Sequence, residues 1–404
     1  MTALDQFWPE TFRYAKKHSP FYRECFRRFR NVPRLEELPA TDKTILSRRN
    51  FDFLCVPKIE VAEIVTTSGT TGKPLLWMLT KPDVERLTLN EKISFECAGI
   101  TPRDTVLVAV ALDRCFIAGL AYWRGLSELG CAVVRVGASS SLLILEMMER
   151  VKPTAIVAVP SFLRVIADKA RETQFNLKRS SVKKLVCIGE PVRDGNFRLN
   201  KSGAEIENDW NAKVFSTYGV TELANSLCEC EAGRGGHLHE TQLHLEILDD
   251  DGNCLPDGET GEVVATTFGV EAMPLIRYRT GDCAAMFSEK CKCGRQTPRL
   301  GPIVGRKNQK LKFKGTSLFP STLQSVLEET GGVEKFVIIA RAENSLSDSV
   351  EILFRGDASP KALREAFQAR AKIAPQIRIA SPDEIEKWQW PPEARKRRTF
   401  VDLR

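Results

Sequence analysis

The stretch TTSGTTGKP, residues 66–74, packs four threonines, one serine and two glycines into nine positions and closes on Lys73-Pro74. Glycine lets backbone N–H groups approach phosphate oxygens without Cβ interference; hydroxyls add donors, and a lysine adds charge. Thr67, Ser68, Gly69, Thr70, Thr71, Gly72 and Lys73 are therefore candidate contacts to a polyphosphate. The pattern is not a Walker-type P-loop, because only two residues separate Gly69 from Gly72 and a proline follows the lysine. The flanks AEIVTT and LLWML read as strands, so the loop joins strands, and a plain Ser/Thr/Gly-rich hairpin turn is the competing reading.

A second group of residues points to metal chemistry. Cys291-Lys-Cys293 stands before GRQTPRL; upstream lie Cys228-Glu-Cys230 and, seven residues on, His237. Reduced thiolates with one imidazole suit tetrahedral Zn²⁺ in a closed structural site. The expected ligands are Cys230, His237, Cys291 and Cys293, with Cys228 and His239 left out. Cys-x-Cys is not the usual Cys-x₂-Cys spacing, and unrelated surface cysteines are the alternative.

The rest of the chain must position these residues. Its 404 residues are enough for at least two domains. No stretch approaches the eighteen-odd apolar residues of a membrane span, and the N-terminus lacks the apolar region of a secretory signal. The expectation is a cytoplasmic protein with its twelve cysteines reduced, most of them (Cys115, Cys131, Cys187) small core residues. The net charge of +7 mildly favours anionic ligands; no nucleic-acid signature accompanies it. Phe7, Phe12, Tyr14 and Phe21 read as faces of N-terminal helices. From residue 105, apolar β-branched runs (105–112, 131–136, 154–160, 184–189, 213–219) alternate with helical patterns such as 141–152 and 161–172, which predicts a buried, largely parallel sheet. After residue 240, alternating strands and Asp-Gly turns predict an antiparallel, barrel-like part. The last hundred residues read β-α-β-β-α-β, a small α+β domain. The fold class is thus α/β, with a large N-terminal domain over 1–306 and a small mobile C-terminal domain over 307–404, divided at the polar stretch GRKNQK.

Taken in order, TTSGTTGKP, YGVTE (218–222), RYRTGD (277–282), GRKNQKLKFKGTSLFPSTLQ (305–324) and the terminal ARKRRTFVDLR resemble the signatures of the adenylate-forming (acyl-CoA synthetase, adenylation-domain) superfamily, and within it the phenylacetate–CoA ligase family. One such motif is weak, whereas five in order from about residue 60 to the end are specific. The resemblance implies ATP-dependent activation of a carboxylic acid to an acyl-adenylate, then transfer to the thiol of coenzyme A with release of AMP. It makes the glycine-rich turn a phosphate loop, with Thr70 in a catalytic position. It sets Tyr218, with Gly219 and Thr221, against the adenine, Glu222 on Mg²⁺, and Asp282 on the ribose. Arg306, in the hinge stretch, is a nucleotide-binding residue, Gly315 leaves room for the thiol arm, and Lys396 is the catalytic lysine. Two departures stand out. Asn308 replaces the usual hinge aspartate, and Arg395 and Arg397 flank Lys396 where small residues are usual. RKRR also reads as a solvated basic tail. The metal ligand pairs would clip the YGVTEL segment to the loop after RYRTGD and stiffen the floor of the nucleotide site.

The resemblance also places the acyl pocket along ALDRCFIAGLAYW (111–123) and IGEPV (188–192), with Gly189, Glu190 and Pro191 beside the nucleotide. Asp113 and Arg114 stand where the family carries Tyr, Gly and Phe. They could select an amino group or a second carboxylate, or simply face solvent. Phe116 and Trp123 suit either an aromatic pocket or the core. The substrate expected is an aryl or small carboxylic acid, with no membrane or nucleic-acid partner. Three functions compete: a CoA ligase; an adenylating enzyme that delivers to the phosphopantetheine thiol of a free-standing carrier protein or to an amine; and a catalytically silent nucleotide-binding protein.

Overall fold

The computed structural model describes residues 2–67, 75–313, 316–344, 347–391 and 398–404. They form two compact units, Met1–Thr280 with Ala284–Ile303, and Gly281–Cys283 with Val304–Arg404.

The first unit is built on a six-stranded sheet in the order Ala132–Arg135, Thr105–Ala109, Ala155–Ala158, Lys184–Ile188, Lys213–Val220, Asn225–Cys228. The first five strands run parallel; the last returns antiparallel from its neighbour. Burial on both faces explains the unbroken apolar runs. Leu107 and Ala109 pack with the helices Ser141–Val151, Pro160–Glu172 and Lys201–Trp210. Val106 and Val108 point the other way, to Phe95 of the Lys81–Cys97 helix and to Tyr122 and Leu126 of the Ile117–Leu129 helix. The latter two helices approach so closely that a Cβ on Gly125 would lie 2.5 Å from the Glu91 Cβ. Thr80 starts the Lys81–Cys97 helix with a capping box closed by Asp83, and Asp83 also accepts from the Glu271 and Ala272 N–H groups.

The antiparallel part expected after residue 240 lies in a second sheet, in the order Thr41–Asp42, Tyr278–Ala284, Gly261–Thr267, Leu243–Leu248, whose edge strand Thr41–Asp42 pairs in parallel. The N-terminal helices Ala3–His18 and Pro20–Cys25 bury Trp8, Phe12 and Tyr22 in the same cluster as Leu245, Val263 and Ile276, and the Tyr22 hydroxyl accepts from the Ile276 N–H at 2.9 Å. Phe12 lies inside as expected; Phe7 is only partly covered. The strand Val61–Thr66 pairs antiparallel with Leu76–Thr80, so the glycine-rich turn does join two strands.

In the second unit a four-stranded sheet runs Gln376–Ile379, Ser347–Gly356, Val333–Asn344, Phe400–Asp402. Helices Pro320–Glu329 and Pro360–Arg370 share the core on one face. The expected α+β order is present, with additions: the strands Thr316–Leu318 and Phe400–Asp402, and a further helix. The helix Pro382–Gln389 buries Ile385 against Val337, Ile339 and Leu353 on the opposite face. Only eight residues long and followed by two prolines, it offers little periodicity to read.

All twelve cysteines are free. Cys187 is buried as expected, Cys131 only partly so, and Cys115 is exposed. The strand before Cys115 ends at Ala109, and Arg114 and Cys115 turn through left-handed backbone (φ 58° and 55°) into the next helix, so an apolar-looking run is in fact a surface turn. Among the described residues, no helix is long and apolar enough to cross a membrane.

Candidate active site and thiolate cluster

The signature residues of the first unit gather at strand ends. Thr67 is buried; its N–H donates to the Leu75 carbonyl at 3.1 Å, and its Oγ1 accepts from the Leu75 N–H at 3.2 Å. These bonds close the base of the turn, whose residues Ser68, Gly69, Thr70, Thr71, Gly72 and Lys73 lie outside the described residues. Next to that base, the Thr66 N–H donates to the Cys115 carbonyl at 2.9 Å, which ties the hairpin to the turn at 113–116.

Tyr218 and Gly219 end the strand Lys213–Val220, Thr221 and Glu222 form a tight 3₁₀ turn, and the chain returns through Asn225–Cys228. The turn is held from beneath by Arg86. It donates to three carbonyls, of Phe268 (2.8 Å), Ala224 (3.1 Å) and Gln242 (2.6 Å), and burial lowers its pKa to about 10. Glu222 is buried rather than superficial. Tyr278 Oη donates to its Oε1 at 3.3 Å, and Lys43 Nζ stands 3.2 Å from the same oxygen. Lys43 arrives there because Thr41 and Asp42 pair in parallel with Tyr278 and Arg279, and Asp42 then caps a short helix that begins at Lys43. Sequence reading missed Lys43, which lies upstream of the matched signatures. The available signal was Thr-Asp-Lys, a cap residue followed by a cation at a helix start.

The loop after Lys184–Ile188 carries Gly189 in left-handed backbone (φ 72°). The Glu190 carboxylate accepts from the Ser161 N–H (2.9 Å) and hydroxyl (2.7 Å), and the Pro191 carbonyl accepts from Asn200 Nδ2 (2.9 Å). Gly189 to Pro191 therefore sit at the carboxyl ends of parallel strands, where open α/β sheets bind ligands. Asp113 and Arg114 are exposed and face each other at 3.7 Å. Phe116 and Trp123 are each over a third exposed, so neither is a core residue; Trp123 lies under the Arg135 guanidinium at 5.1 Å.

In the second unit, buried Asp282 and exposed Arg306 pair in register on neighbouring strands, with Arg306 Nε 3.1 Å from Asp282 Oδ1. The Asn308 and Lys310 carbonyls accept from Arg404 at 3.1 and 2.9 Å. Gly315 and Lys396 lie outside the described residues.

The donor atoms of Cys230, His237, Cys291 and Cys293 all fall within 4.8 Å of one another. Cys230 Sγ and Cys291 Sγ are 3.6 Å apart, and Cys293 Sγ is 3.5 Å from His237 Nε2. Thiolates held at about 2.3 Å from a tetrahedral Zn²⁺ would be about 3.8 Å apart, so the spacing fits the ion. His237 Nδ1 meets Thr297 Oγ1 at 2.9 Å, which turns Nε2 toward the sulfurs. Burial pushes Cys230 up to about 12 and His237 down to about 4. Burial would raise Cys293 too, but hydrogen bonds from Arg295, Cys230 and Cys291 outweigh it and bring that thiol to about 7. Neither Cys228 nor His239 joins the set. Cys228 Sγ accepts from Thr217 Oγ1 (3.3 Å), and His239 Nδ1 meets Asn90 Nδ2 (2.6 Å).

With this geometry in view, the comparisons with known proteins define first a class and then a family. The fold is that of crystallised adenylate-forming ligases. A 2-hydroxyisobutyryl-CoA ligase in its postadenylation state superposes with a TM-score of 0.84 at 22% identity, over 100% of this chain and 89% of that one. The same ligase with 2-HIB-AMP and CoA, in its thioesterification state, gives 0.71 at 23% identity, over 99% and 88%. The AMP-binding enzyme profile matches residues 30–271. The phenylacetate-coenzyme A ligase of Thermus thermophilus is 30% identical over 349 residues, 83% of this chain and 77% of that protein. The ligase of the same name from Escherichia coli K12 is 30% identical over 328 residues, 78% and 72%. The chain belongs to the AMP-binding enzyme family, on its phenylacetate–CoA ligase-like side.

Proposed function

We propose that this protein is an AMP-forming acid–thiol ligase that activates a small or aryl carboxylic acid with ATP and delivers the acyl group to coenzyme A. A carboxylate oxygen of the acid attacks the α-phosphorus of ATP and pyrophosphate leaves. The sulfur of CoA then attacks the acyl carbon, AMP leaves, and the thiol proton is released. Both partners of the first step are anionic, so the barrier is largely electrostatic. The loop around Thr67–Lys73 holds the triphosphate, with Thr70 nearest the chemistry. Glu222 holds Mg²⁺, which supplies charge neutralisation at the phosphates. Gly189, Glu190 and Pro191 with Tyr218, Gly219 and Thr221 bound the nucleotide and acyl sites, and Phe116 borders the latter. Asp282 takes the ribose hydroxyls, with Arg306 as its partner. Lys396 neutralises charge as the acid meets the phosphorus, and Gly315 leaves space for the thiol arm. Residues 1–306 act as the adenylate-forming domain and 307–404 as the mobile domain. Cys230, His237, Cys291 and Cys293 bind a structural Zn²⁺. The protein works in the cytoplasm.

The observation that carries this reading is the 30% identity, over most of both chains, to a phenylacetate-coenzyme A ligase. Exchange of labelled pyrophosphate into ATP, run across a panel of carboxylic acids, tests it. One acid should support exchange, and CoA should then convert the adenylate to a thioester. Exchange with transfer only to a carrier-protein thiol or an amine would replace the acceptor. No exchange with any acid would leave a silent nucleotide binder.

A further inference from the structure

The residue between the two cysteines of Cys228-Glu-Cys230 is buried and fully engaged. Glu229 takes a bidentate pair from Arg193, with Nε to Oε2 and Nη2 to Oε1 both at 2.7 Å, and the two side chains are 1% and 12% exposed. Glu229 Oε1 also accepts from the Ser216 N–H at 2.8 Å, and the Glu229 N–H donates to the Ser216 carbonyl at 3.0 Å. Ser216 lies two residues before Tyr218, and Arg193 two residues after Pro191. The third guanidinium nitrogen, Nη1, donates to the Phe197 carbonyl at 3.0 Å and folds the loop back on itself. The cluster-bearing loop touches the same guanidinium. Gly233, between Cys230 and His237, has φ 61°, and a Cβ there would lie 2.8 Å from Arg193 Nη2. One planar, buried ion pair thus meets three segments: the loop that holds the thiolates and imidazole, the strand leading to Tyr218, and the loop that follows Gly189.

We infer that the Arg193–Glu229 pair is a positioning device that couples occupancy of the thiolate–imidazole cluster to the shape of the nucleotide and acyl pocket. This rests on the reading of that cluster as a zinc site. Zn²⁺ fixes Cys230 and so the adjoining Glu229; Glu229 fixes Arg193 by two parallel charge-assisted bonds, a geometry that leaves little angular freedom. When the cluster is empty, Glu229 and Gly233 lose that anchor, and the segments ending at Pro191 and beginning at Ser216 move with them. The side-chain hydrogen bonds of both residues run to each other and to the Ser216 and Phe197 backbone, so the pair acts on binding rather than on the chemical step.

Thermodynamic linkage supplies a test that a merely structural ion pair would not pass, because coupling between two sites must be equal in both directions. AMP affinity is measured by calorimetry, with magnesium in excess, on zinc-loaded and zinc-stripped protein. Zinc affinity is measured against a chromophoric chelator with and without saturating AMP. In the unsubstituted protein zinc should raise AMP affinity about fivefold or more, and AMP should raise zinc affinity by the same factor. Arg193→Met/Glu229→Gln removes the pair while leaving an amide oxygen for Ser216. It should keep one zinc per chain and bring both factors close to one; Arg193→Lys should restore part of the coupling. If that double variant does not fold, hydrogen exchange of the amides at 188–193 in the unsubstituted protein decides: it should accelerate on zinc removal and slow on reloading. No coupling in the unsubstituted protein, an undiminished factor in the folded double variant, or exchange at 188–193 indifferent to zinc would overturn the inference and leave the zinc site standing. Protein that binds no zinc would overturn both the inference and the zinc reading.

Discussion

Glu91 lies inside the Lys81–Cys97 helix and faces Ser226 of the strand Asn225–Cys228. Its side chain is buried and accepts one hydrogen bond, from the Ser226 hydroxyl at 2.8 Å. Ser226 in turn meets Ser94 and Asn90, and Asn90 meets His239, whose imidazole burial holds neutral, so among the described residues no cation pairs with the carboxyl. Tyr122 and Cys228, also buried there, are both held in their neutral forms by burial. Burial raises the Glu91 pKa to about 8, against a small opposing effect of the Ser226 bond. The folded protein therefore keeps this proton well above the pH at which the unfolded chain, with an ordinary carboxylate near 4.3, releases it. Between these values the folded state binds one more proton than the unfolded state, so stability falls as pH rises, by about 1.4 kcal/mol per pH unit. From pH 5 to 7.5 that is roughly 3 kcal/mol attributable to one residue. Glu91→Gln cannot titrate and can still accept from Ser226, so it should escape this loss. Urea unfolding of both proteins at several pH values, followed by tryptophan fluorescence, reads the difference. The two stabilities should be close near pH 5, and the variant should gain on the parent steadily up to about pH 8. Parallel curves over that range would refute the reasoning, because they would mean that Glu91 is ionised in the folded protein or reaches water.

Other expectations bear on the chemistry. Lys43→Met removes the cation 3.2 Å from Glu222 Oε1, and should lower kcat/KM for pyrophosphate exchange by about tenfold or more, as loss of a charged active-site contact does; a rate within twofold of the parent would show that Lys43 only decorates the site. The parent protein should carry one zinc per chain by elemental analysis, and Cys291→Ser should lose it and unfold at a lower temperature, since structural zinc binding contributes to folding; an unchanged protein would remove the metal. Lys396→Ala should abolish exchange yet keep most thioester formation from a supplied acyl-adenylate; equal loss of both would move the catalytic lysine elsewhere.

Much of the architecture could be read locally. The parallel sheet was legible because strands buried on both faces, such as Val106–Ala109, are unbroken apolar runs. The hairpin around the glycine-rich turn was legible for a related reason: the bases of tight turns declare themselves through glycine and proline. The candidate ligand set Cys230, His237, Cys291 and Cys293 follows from residue type and spacing, and the chain folds so that its donor atoms meet within 4.8 Å. What a single strand of text does not carry is which distant segments share a carboxylate. Lys43 reaches Glu222 only because Thr41 and Asp42 pair with residues more than two hundred positions away. Arg193 meets Glu229 only through folding, and Cys115 reads as core until the strand before it is seen to stop at Ala109. Residue type, spacing and periodicity determined the elements, the signatures and the choice of metal ligands, because those properties act over a few neighbouring residues. Tertiary packing alone decided which charges are buried together and what each one pairs with, because an electrostatic partner is set by proximity in space and not by separation along the chain.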